Sequence, residues 1–179
     1  VYCVDKDQLK INKLINGHIP IYEPGLEEIL KRNLKQKRLI FTTDLKNAVI
    51  NSDIIFICVG TPTKKNSNSA DLKYVFNVAN QLNKIIKKYK IIVTKSTVPV
   101  TTGDKIQNIL KNLYRRKLVD IVSNPEFLRE GEAIRDFLYP DRVVIGTESM
   151  KANKILKSLY LPIVKKNSRY FKTSRRGAE

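Results

Sequence analysis

Hydrophobic residues follow two alternating patterns along the chain. Short β-branched runs recur between longer segments in which apolar residues repeat every three or four positions, as in strands and amphipathic helices. The predicted strands are residues 1–5, 39–42, 54–59, 91–95, 119–123 and 143–146. Because strands that alternate with helices pair in parallel through helical crossovers, the pattern predicts a doubly wound, Rossmann-like α/β fold with a mostly parallel sheet.

Three apolar stripes predict the helices that cover this sheet. They consist of Leu26, Ile29, Leu30 and Leu34; of Val75, Val78, Ala79, Leu82, Ile85 and Ile86; and of Ile106, Ile109, Leu110 and Leu113. Asp44, Asp71 and Thr101 are placed to cap the helices that follow them. Residues 54–59 are apolar on both faces, which favours a strand covered by helices on both sides.

The length of the chain fits one ordinary domain. Its 179 residues can bury a core without a metal or a disulfide, and no linker or internal repeat is visible. The polar stretch 64–70 is predicted to be a surface loop. No segment resembles a signal peptide or a membrane span of about 20 apolar residues, so we expect a soluble cytoplasmic protein.

Composition adds a strong positive charge. The chain has 34 Lys and Arg against 17 Asp and Glu, a formal net charge of +17. These cations are spread over nearly every segment, which is typical of a solvated surface and not of one nucleic-acid-binding arm. Cys3 and Cys58 lie in apolar runs and are predicted to be core thiols, whereas His18, the only histidine, is predicted to lie in a loop. We expect no metal site.

The first residues have the pattern of a second strand instead of a first one. In a doubly wound dinucleotide fold, the acidic residue that ends the second strand follows a G-x-G-x-x-G turn by about 20 residues. Asp5 ends such a strand, but this glycine spacing occurs nowhere in the chain. We therefore expect the first strand and the glycine fingerprint to be missing from the 179 residues.

Five segments, in order, resemble the UDP-glucose and GDP-mannose dehydrogenase family. They are Val4-Asp5 with Lys10, residues 21–28, residues 59–63, residues 95–100 and residues 123–131. Residues 140–146 look most like the UDP-glucose members, and residues 173–179 resemble the start of the family's long central helix. The resemblance implies that residues 1–179 are a partial NAD-binding domain, without the central helix and the UDP-binding domain.

The resemblance also implies a set of cofactor-binding residues. The Asp5 carboxylate would accept hydrogen bonds from both adenosine ribose hydroxyls and repel a 2′-phosphate, which favours NAD over NADP. Gly60 would allow a close backbone approach, and Thr61 would donate its hydroxyl to the pyrophosphate. The implied set is Asp5, Lys10, Val59, Gly60, Thr61, Pro62, Thr63, Ser96, Thr97, Val98 and Glu130. One departure is Thr101, which stands where many relatives have glycine.

Glu126 resembles the family's acid/base residue, and Thr97 is expected to position a catalytic water. The family oxidises UDP-glucose to UDP-glucuronate by two hydride transfers to NAD, with the aldehyde held on a cysteine and the thioester then hydrolysed. The implied substrate-binding residues are Glu126, Phe127, Leu128, Arg129 and Glu130, of which Glu126 and Glu130 have helical spacing. Neither cysteine has the glycine-rich surroundings of the family's nucleophile, so we expect this chain by itself to be inactive.

Other interpretations of the sequence stay open. The resemblance implies UDP-glucose as substrate, no nucleic-acid or membrane partner, and homo-oligomers of intact relatives through the central helix. GDP-mannose-type members share most of these motifs. A degenerate, non-catalytic nucleotide-binding fragment is one alternative, and a basic nucleic-acid-binding module is another. The turn Tyr22-Glu23-Pro24-Gly25 is interpreted as structural.

Overall fold

The computed structural model describes residues 1–65, 67, 69–164 and 169–179. They divide into two compact units, Val1–Ser52 with Leu128–Leu138 and Asp53–Phe127 with Tyr139–Glu179. In chain order, the elements are β1 (Tyr2–Val4), α1 (Gln8–Ile15), α2 (Leu26–Lys35), β2 (Ile40–Thr42), α3 (Leu45–Ile50), β3 (Ile54–Ile57), α4 (Lys73–Ile85), β4 (Lys90–Thr94), α5 (Thr102–Ile109), α6 (Lys111–Arg115), β5 (Val119–Ser123), α7 (Ala133–Leu138), β6 (Arg142–Gly146), α8 (Met150–Tyr160), β7 (Arg169–Thr173) and α9 (Arg175–Ala178).

In the first unit, β1 and β2 pair in parallel. Helix α1 begins where the Asp7 side chain accepts hydrogen bonds from the amides of Leu9 and Lys10, and it buries Ile11. Helix α3 begins in the same way, because Asp44 accepts from the Asn47 amide at 2.9 Å. The capping role predicted for Asp44 is therefore confirmed.

The second unit contains a five-stranded sheet in the order β3-β4-β5-β6-β7. All neighbouring pairs are parallel except β5 and β6, which meet in antiparallel pairing at Ser123 and Gly146. The predicted mostly parallel α/β architecture is thus confirmed. One apolar cluster in its core consists of Ile91, Val93, Val122, Val143, Ile145, Ala152, Leu156 and Tyr160.

The strand covered on both faces is β4 and not β3. Every residue of β4 is buried, because this strand lies inside the sheet between β3 and β5. Strand β3 lies at the edge of the five-stranded sheet and ends at Ile57, and its Phe56 is 36% exposed. The prediction of a two-faced buried strand over residues 54–59 was therefore wrong in position, since apolar composition does not reveal which strand is central.

Two of the predicted caps differ from the structure. Thr101 precedes α5 with a left-handed backbone, φ 79°, and its side chain makes no capping hydrogen bond. Asp71 accepts from the Lys73 amide at 3.0 Å, but Leu72 occupies the cap position of α4. Asp71 therefore stabilises the turn one residue before the expected position.

The polar loop predicted at residues 64–70 is closed by a bridge between Thr63 and Ala70. Lys64, Lys65, Ser67 and Ser69 are exposed, as expected for a surface loop, while residues 66 and 68 lie outside the described residues. Helix α8, capped by Ser149, and strand β7 were not predicted from the sequence.

Candidate functional site

Asp5 and Lys10 form an ion pair at the carboxyl end of β1. Asp5 is the first residue after the strand, and the Lys10 Nζ on α1 lies 2.5 Å from its Oδ2. The Asp7 amide donates to the other oxygen at 3.1 Å. The hydrogen bond from Lys10 lowers the pKa of Asp5, so the group is a carboxylate at neutral pH. The two predicted residues are thus brought together, with Lys10 acting on Asp5.

Asp5 keeps room to bind a ligand. A carboxylate has about four lone-pair positions, and hydrogen bonds from the Lys10 Nζ and from the backbone at Lys6 and Asp7 take some of them. Its side chain is 30% exposed. An ionised, acceptor-only group at the end of a parallel strand fits a pair of ribose hydroxyls, which are hydrogen-bond donors.

Gly60 lies in the loop that follows β3, and no neighbour in the structure requires a glycine there. A Cβ built at Gly60 would meet nothing within 4 Å. At Gly146, by contrast, a Cβ would come within 2.5 Å of the Ala178 Cβ, so packing explains that glycine. The open space at Gly60 fits a backbone that a ligand approaches closely.

Hydrogen bonds join the loop after β3 to the loop after β4. The Thr61 hydroxyl donates to the Thr97 carbonyl oxygen at 2.9 Å. The Ser96 hydroxyl donates to the Val59 carbonyl oxygen at 2.6 Å. Val98 is buried, whereas Thr97, Pro62 and Thr63 are exposed. The residues predicted from both segments therefore form one connected edge of the second unit.

The contact between the two threonines changes the expected chemistry of Thr61. A hydroxyl has one hydrogen, and that of Thr61 is already donated to Thr97. In this conformation Thr61 offers a lone pair to a ligand, and its donation to a pyrophosphate would require the loop contact to open.

The segment that contains Glu126 is anchored by Asn124, a residue that the sequence did not single out. The Asn124 amide donates to the Thr94 carbonyl oxygen, and its Nδ2 donates to that of Val144. The buried Tyr160 hydroxyl donates to Asn124 Oδ1. Burial raises the pKa of Tyr160 to about 12, so this donor stays protonated at neutral pH. Glu126, two residues after Asn124, is exposed.

Two basic side chains flank Glu126 and Phe127. The Lys95 Nζ donates to the Pro125 carbonyl oxygen at 3.4 Å, and burial lowers the pKa of Lys95 while Glu126 and Cys58 oppose that shift. The Arg142 guanidinium lies 4.3 Å from the centre of the Phe127 ring, a cation–π contact. Lys95 and Arg142 lie in the recognised motifs, but nothing local in the sequence indicated these contacts.

Arg129 directs its side chain toward its own segment. Its Nε and one terminal nitrogen donate to the two oxygens of Asp136 at 3.1 and 2.8 Å, and its amide donates to Oδ2 at 3.0 Å. These bonds lower the pKa of Asp136 to about 2. The side chain of Arg129 also pairs with Glu132. Because the guanidinium is engaged in this way, the segment offers its backbone to a ligand more readily than the Arg129 side chain.

Glu126 and Glu130 do not share a helix. Residues 124–129 have no helical or strand structure, Glu130 lies in a turn, and the first helical residue is Ala133. Glu126 and Phe127 belong to the second unit, while Leu128 and Glu130 belong to the first. The four-residue spacing of the two glutamates therefore does not place them on one face of a helix.

The two cysteines differ from the expectation of core thiols. Cys58 follows β3 and is exposed, while Cys3 on β1 is of intermediate exposure. Burial raises the pKa of Cys3. His18 is exposed in a loop, as predicted.

No group of three or more His, Cys, Asp or Glu residues is arranged to hold a metal ion in the described ranges. Within those same ranges, no helix is both long and apolar enough to cross a membrane.

Comparisons with known proteins identify the relatives of this arrangement. Residues 1–164 match the model of the NAD-binding domain of the UDP-glucose/GDP-mannose dehydrogenase family. The chain is 45% identical to a UDP-glucose 6-dehydrogenase of Rhizobium meliloti, across 100% of the chain and 41% of that protein. It is 48% identical to a UDP-glucose 6-dehydrogenase of Bacillus subtilis, across 90% of the chain and 35% of that protein.

Solved structures agree with these sequence matches. A ternary complex of GDP-mannose dehydrogenase from Pseudomonas aeruginosa superposes with a TM-score of 0.93 at 34% identity, over 99% of the chain and 42% of that protein. A UDP-glucose dehydrogenase from Pyrobaculum islandicum superposes with a TM-score of 0.91 at 36% identity, over 99% of the chain and 41% of that protein. The chain therefore spans about two fifths of the length of the relatives it matches.

Proposed function

The chain belongs to the UDP-glucose/GDP-mannose dehydrogenase family, and we propose that it works as the cofactor-binding part of a UDP-glucose 6-dehydrogenase. Its matched region is an NAD-binding domain, so NAD is the cofactor. The sugar nucleotide is inferred from the names of the relatives at 45% and 48% identity, both UDP-glucose 6-dehydrogenases. The substrate is therefore UDP-glucose, oxidised to UDP-glucuronate.

The position of Asp5 is the observation that best supports this proposal. Asp5 is a carboxylate at the carboxyl end of a parallel strand, and its hydrogen bond from Lys10 lowers its pKa further. In a dinucleotide-binding domain, that position reads the ribose hydroxyls of NAD and repels a 2′-phosphate. Lys10 weakens this repulsion, because the ion pair cancels part of the carboxylate's charge, so Asp5 selects NAD chiefly by accepting hydrogen bonds.

The remaining cofactor contacts come from the connected loops of the second unit. The backbone around Gly60 is open to the pyrophosphate, and Val59, Thr61, Pro62 and Thr63 shape that loop. Ser96, Thr97 and Val98 form the neighbouring loop, where the nicotinamide end would lie. Glu130 would contribute a further cofactor contact. Bound NAD would supply the hydride acceptor.

Glu126 is the proposed acid/base residue, and Thr97 the residue that positions a water. Glu126 is exposed, and the buried contacts of Asn124 fix the backbone before it, so its carboxylate can exchange protons with a substrate or water. Thr97 is exposed, so its hydroxyl can hold a water. The backbone of Glu126, Phe127, Leu128, Arg129 and Glu130 would hold the substrate. Neither cysteine is proposed as the nucleophile, since Cys3 lies on β1 and Cys58 precedes the proposed pyrophosphate loop.

The test uses a hybrid protein in which this chain replaces the matched segment of the Rhizobium meliloti enzyme. We expect the hybrid to form NADH when given UDP-glucose and NAD, and Glu126→Gln to slow turnover by on the order of 10²–10⁴-fold with NAD affinity nearly intact. Asp141→Asn, an exposed carboxylate in the same unit, is the control. A folded hybrid without NADH formation, or unchanged turnover in Glu126→Gln, would contradict the proposal.

A further inference from the structure

Glu23 is a buried carboxylate in the motif Tyr22-Glu23-Pro24-Gly25, which has no assigned function. Glu23 is only 7% exposed, although it lies in a loop just before α2. A charged side chain is rarely buried unless hydrogen bonds compensate for its lost hydration. The hydrogen-bond partners of Glu23 therefore indicate what this motif does.

Both carboxylate oxygens of Glu23 accept backbone amides from a distant part of the chain. Oε2 accepts from the Gly131 amide at 3.0 Å, and Oε1 accepts from the Ile134 amide at 3.2 Å. These partners are 108 and 111 residues away in sequence. Gly131 has a left-handed backbone, φ 82°, and Ile134 lies in the first turn of α7.

Gly25 of the same turn faces the Ile134 side chain of α7. Gly25 also has a left-handed backbone, φ 81°, and a Cβ built there would lie 3.9 Å from the Ile134 Cδ1. On the other side, Arg129 is tied to Asp136 of α7 by its amide and its guanidinium. The short stretch from Arg129 to Gly131 is thus held between Asp136 and Glu23.

We propose that Glu23 is a positioning residue that fixes the backbone of Arg129, Glu130 and Gly131 for cofactor and substrate binding. This inference rests on the proposed function, which assigns a cofactor contact to Glu130 and substrate contacts to the same backbone. Glu23 touches neither ligand; it acts through the conformation of the turn that presents Glu130.

A carboxylate is the side chain that this arrangement requires. Two N–H donors converge on two oxygens, and each oxygen accepts one of them. Glutamine has one acceptor oxygen, so its amide group would face one of the two donors with hydrogens of its own. Glu23→Gln therefore keeps nearly the same shape but loses one of the two hydrogen bonds. It also places an NH₂ group against the backbone N–H that has lost its acceptor.

The experiment has two arms, the first on this chain and the second on the hybrid. In the first, hydrogen exchange of the Gly131 and Ile134 amides is measured in the wild-type chain, in Glu23→Gln and in Glu28→Gln, an exposed glutamate of α2. We expect roughly tenfold or greater loss of protection in Glu23→Gln alone. Unprotected wild-type amides, or equal exchange in Glu23→Gln, would overturn the proposal.

In the second arm, NAD titration and steady-state kinetics are run on the same variants. We expect Glu23→Gln to raise the NAD Kd and the KM for UDP-glucose by roughly tenfold, with a smaller change in kcat. Gly131→Ala, which strains the same turn and keeps the Glu23 side chain itself unchanged, should reproduce this split. A lowered melting temperature with unchanged Kd and KM would make Glu23 merely structural. An inactive hybrid whose NAD affinity still falls in Glu23→Gln would instead contradict the proposed reaction and leave the positioning role supported.

Discussion

The hydroxyl of Thr61 donates a 2.9 Å hydrogen bond to the carbonyl oxygen of Thr97. These residues stand in the loops after two neighbouring parallel strands, β3 and β4. Ligands of open α/β sheets bind beyond the carboxyl ends of the strands, so the bond crosses the edge where the cofactor is proposed to lie. The bond fixes the relative position of two loops that the sequence predicted only as separate cofactor-binding segments.

Removing this bond should loosen the loop pair. Thr61→Val keeps the shape of the side chain but has no donor, so we expect a loss of about 0.5–1.5 kcal/mol in the free energy of unfolding. Urea denaturation measures this loss, and NAD titration of the hybrid should show weaker binding. Thr63→Val, an exposed change in the same loop, is the control for the stability measurement. Equal behaviour of the two variants would show that the bond does not matter.

Replacing Thr101 by glycine should stabilise the chain. Thr101 has φ 79°, and a left-handed backbone costs a residue with a Cβ roughly 1–2 kcal/mol. Glycine removes this cost but adds freedom to the unfolded chain, so the net gain should be about 0.5–1 kcal/mol. Lys105→Gly, inside the same helix, should instead destabilise by about 1 kcal/mol. If urea denaturation shows that Thr101→Gly has a lower free energy of unfolding than the wild type, the backbone at Thr101 is not strained.

The ion pair between Arg129 and Asp136 should make stability depend on acidity. The pKa of Asp136 is lowered from 3.8 to about 2 in the folded chain. Its contribution is therefore complete above about pH 4 and disappears as the pH falls through about 2. We expect the difference in unfolding free energy between wild type and Asp136→Asn to shrink over this window. A difference that is constant with pH would exclude the assigned cause, and Asp141→Asn supplies the background change.

Tyr160→Phe should destabilise the segment that carries Glu126. The Tyr160 hydroxyl donates to the buried Asn124, and its removal leaves that Oδ1 without this donor. The expected cost is about 1–3 kcal/mol in the free energy of unfolding. Tyr114→Phe, at a position 37% exposed, should cost far less. If both variants lose the same stability, the buried hydrogen bond is not the reason.

The sequence predicted local features well where a short stretch determines them. The motif loops at residues 59–63 and 95–100 follow parallel strands, and Asp5 ends β1. Thr101, noted because many relatives have glycine there, has the left-handed backbone that favours glycine. These features depend on neighbouring residues or on the motif itself, so a pattern reveals them.

Features that depend on distant residues could not be predicted. Strand β7 has a single apolar pair, Tyr170-Phe171, and its structure depends on pairing with β6. Cys58 lies in an apolar run but is exposed, which composition does not reveal. The contacts from Tyr160 to Asn124 and from Glu23 to Gly131 join residues 36 and 108 positions apart. No local spacing records such contacts.

The most direct test of the account is the affinity of the hybrid for NAD and NADP with and without the Asp5 carboxylate. Isothermal titration should give clearly tighter binding of NAD than of NADP to the hybrid. In Asp5→Ala, NAD binding should weaken by about 1.5–3 kcal/mol, the value of a hydrogen bond to a charged group, and the preference over NADP should shrink. Glu28→Gln should change neither affinity. Unchanged NAD affinity in a folded Asp5→Ala variant would contradict the claim that Asp5 binds the cofactor ribose.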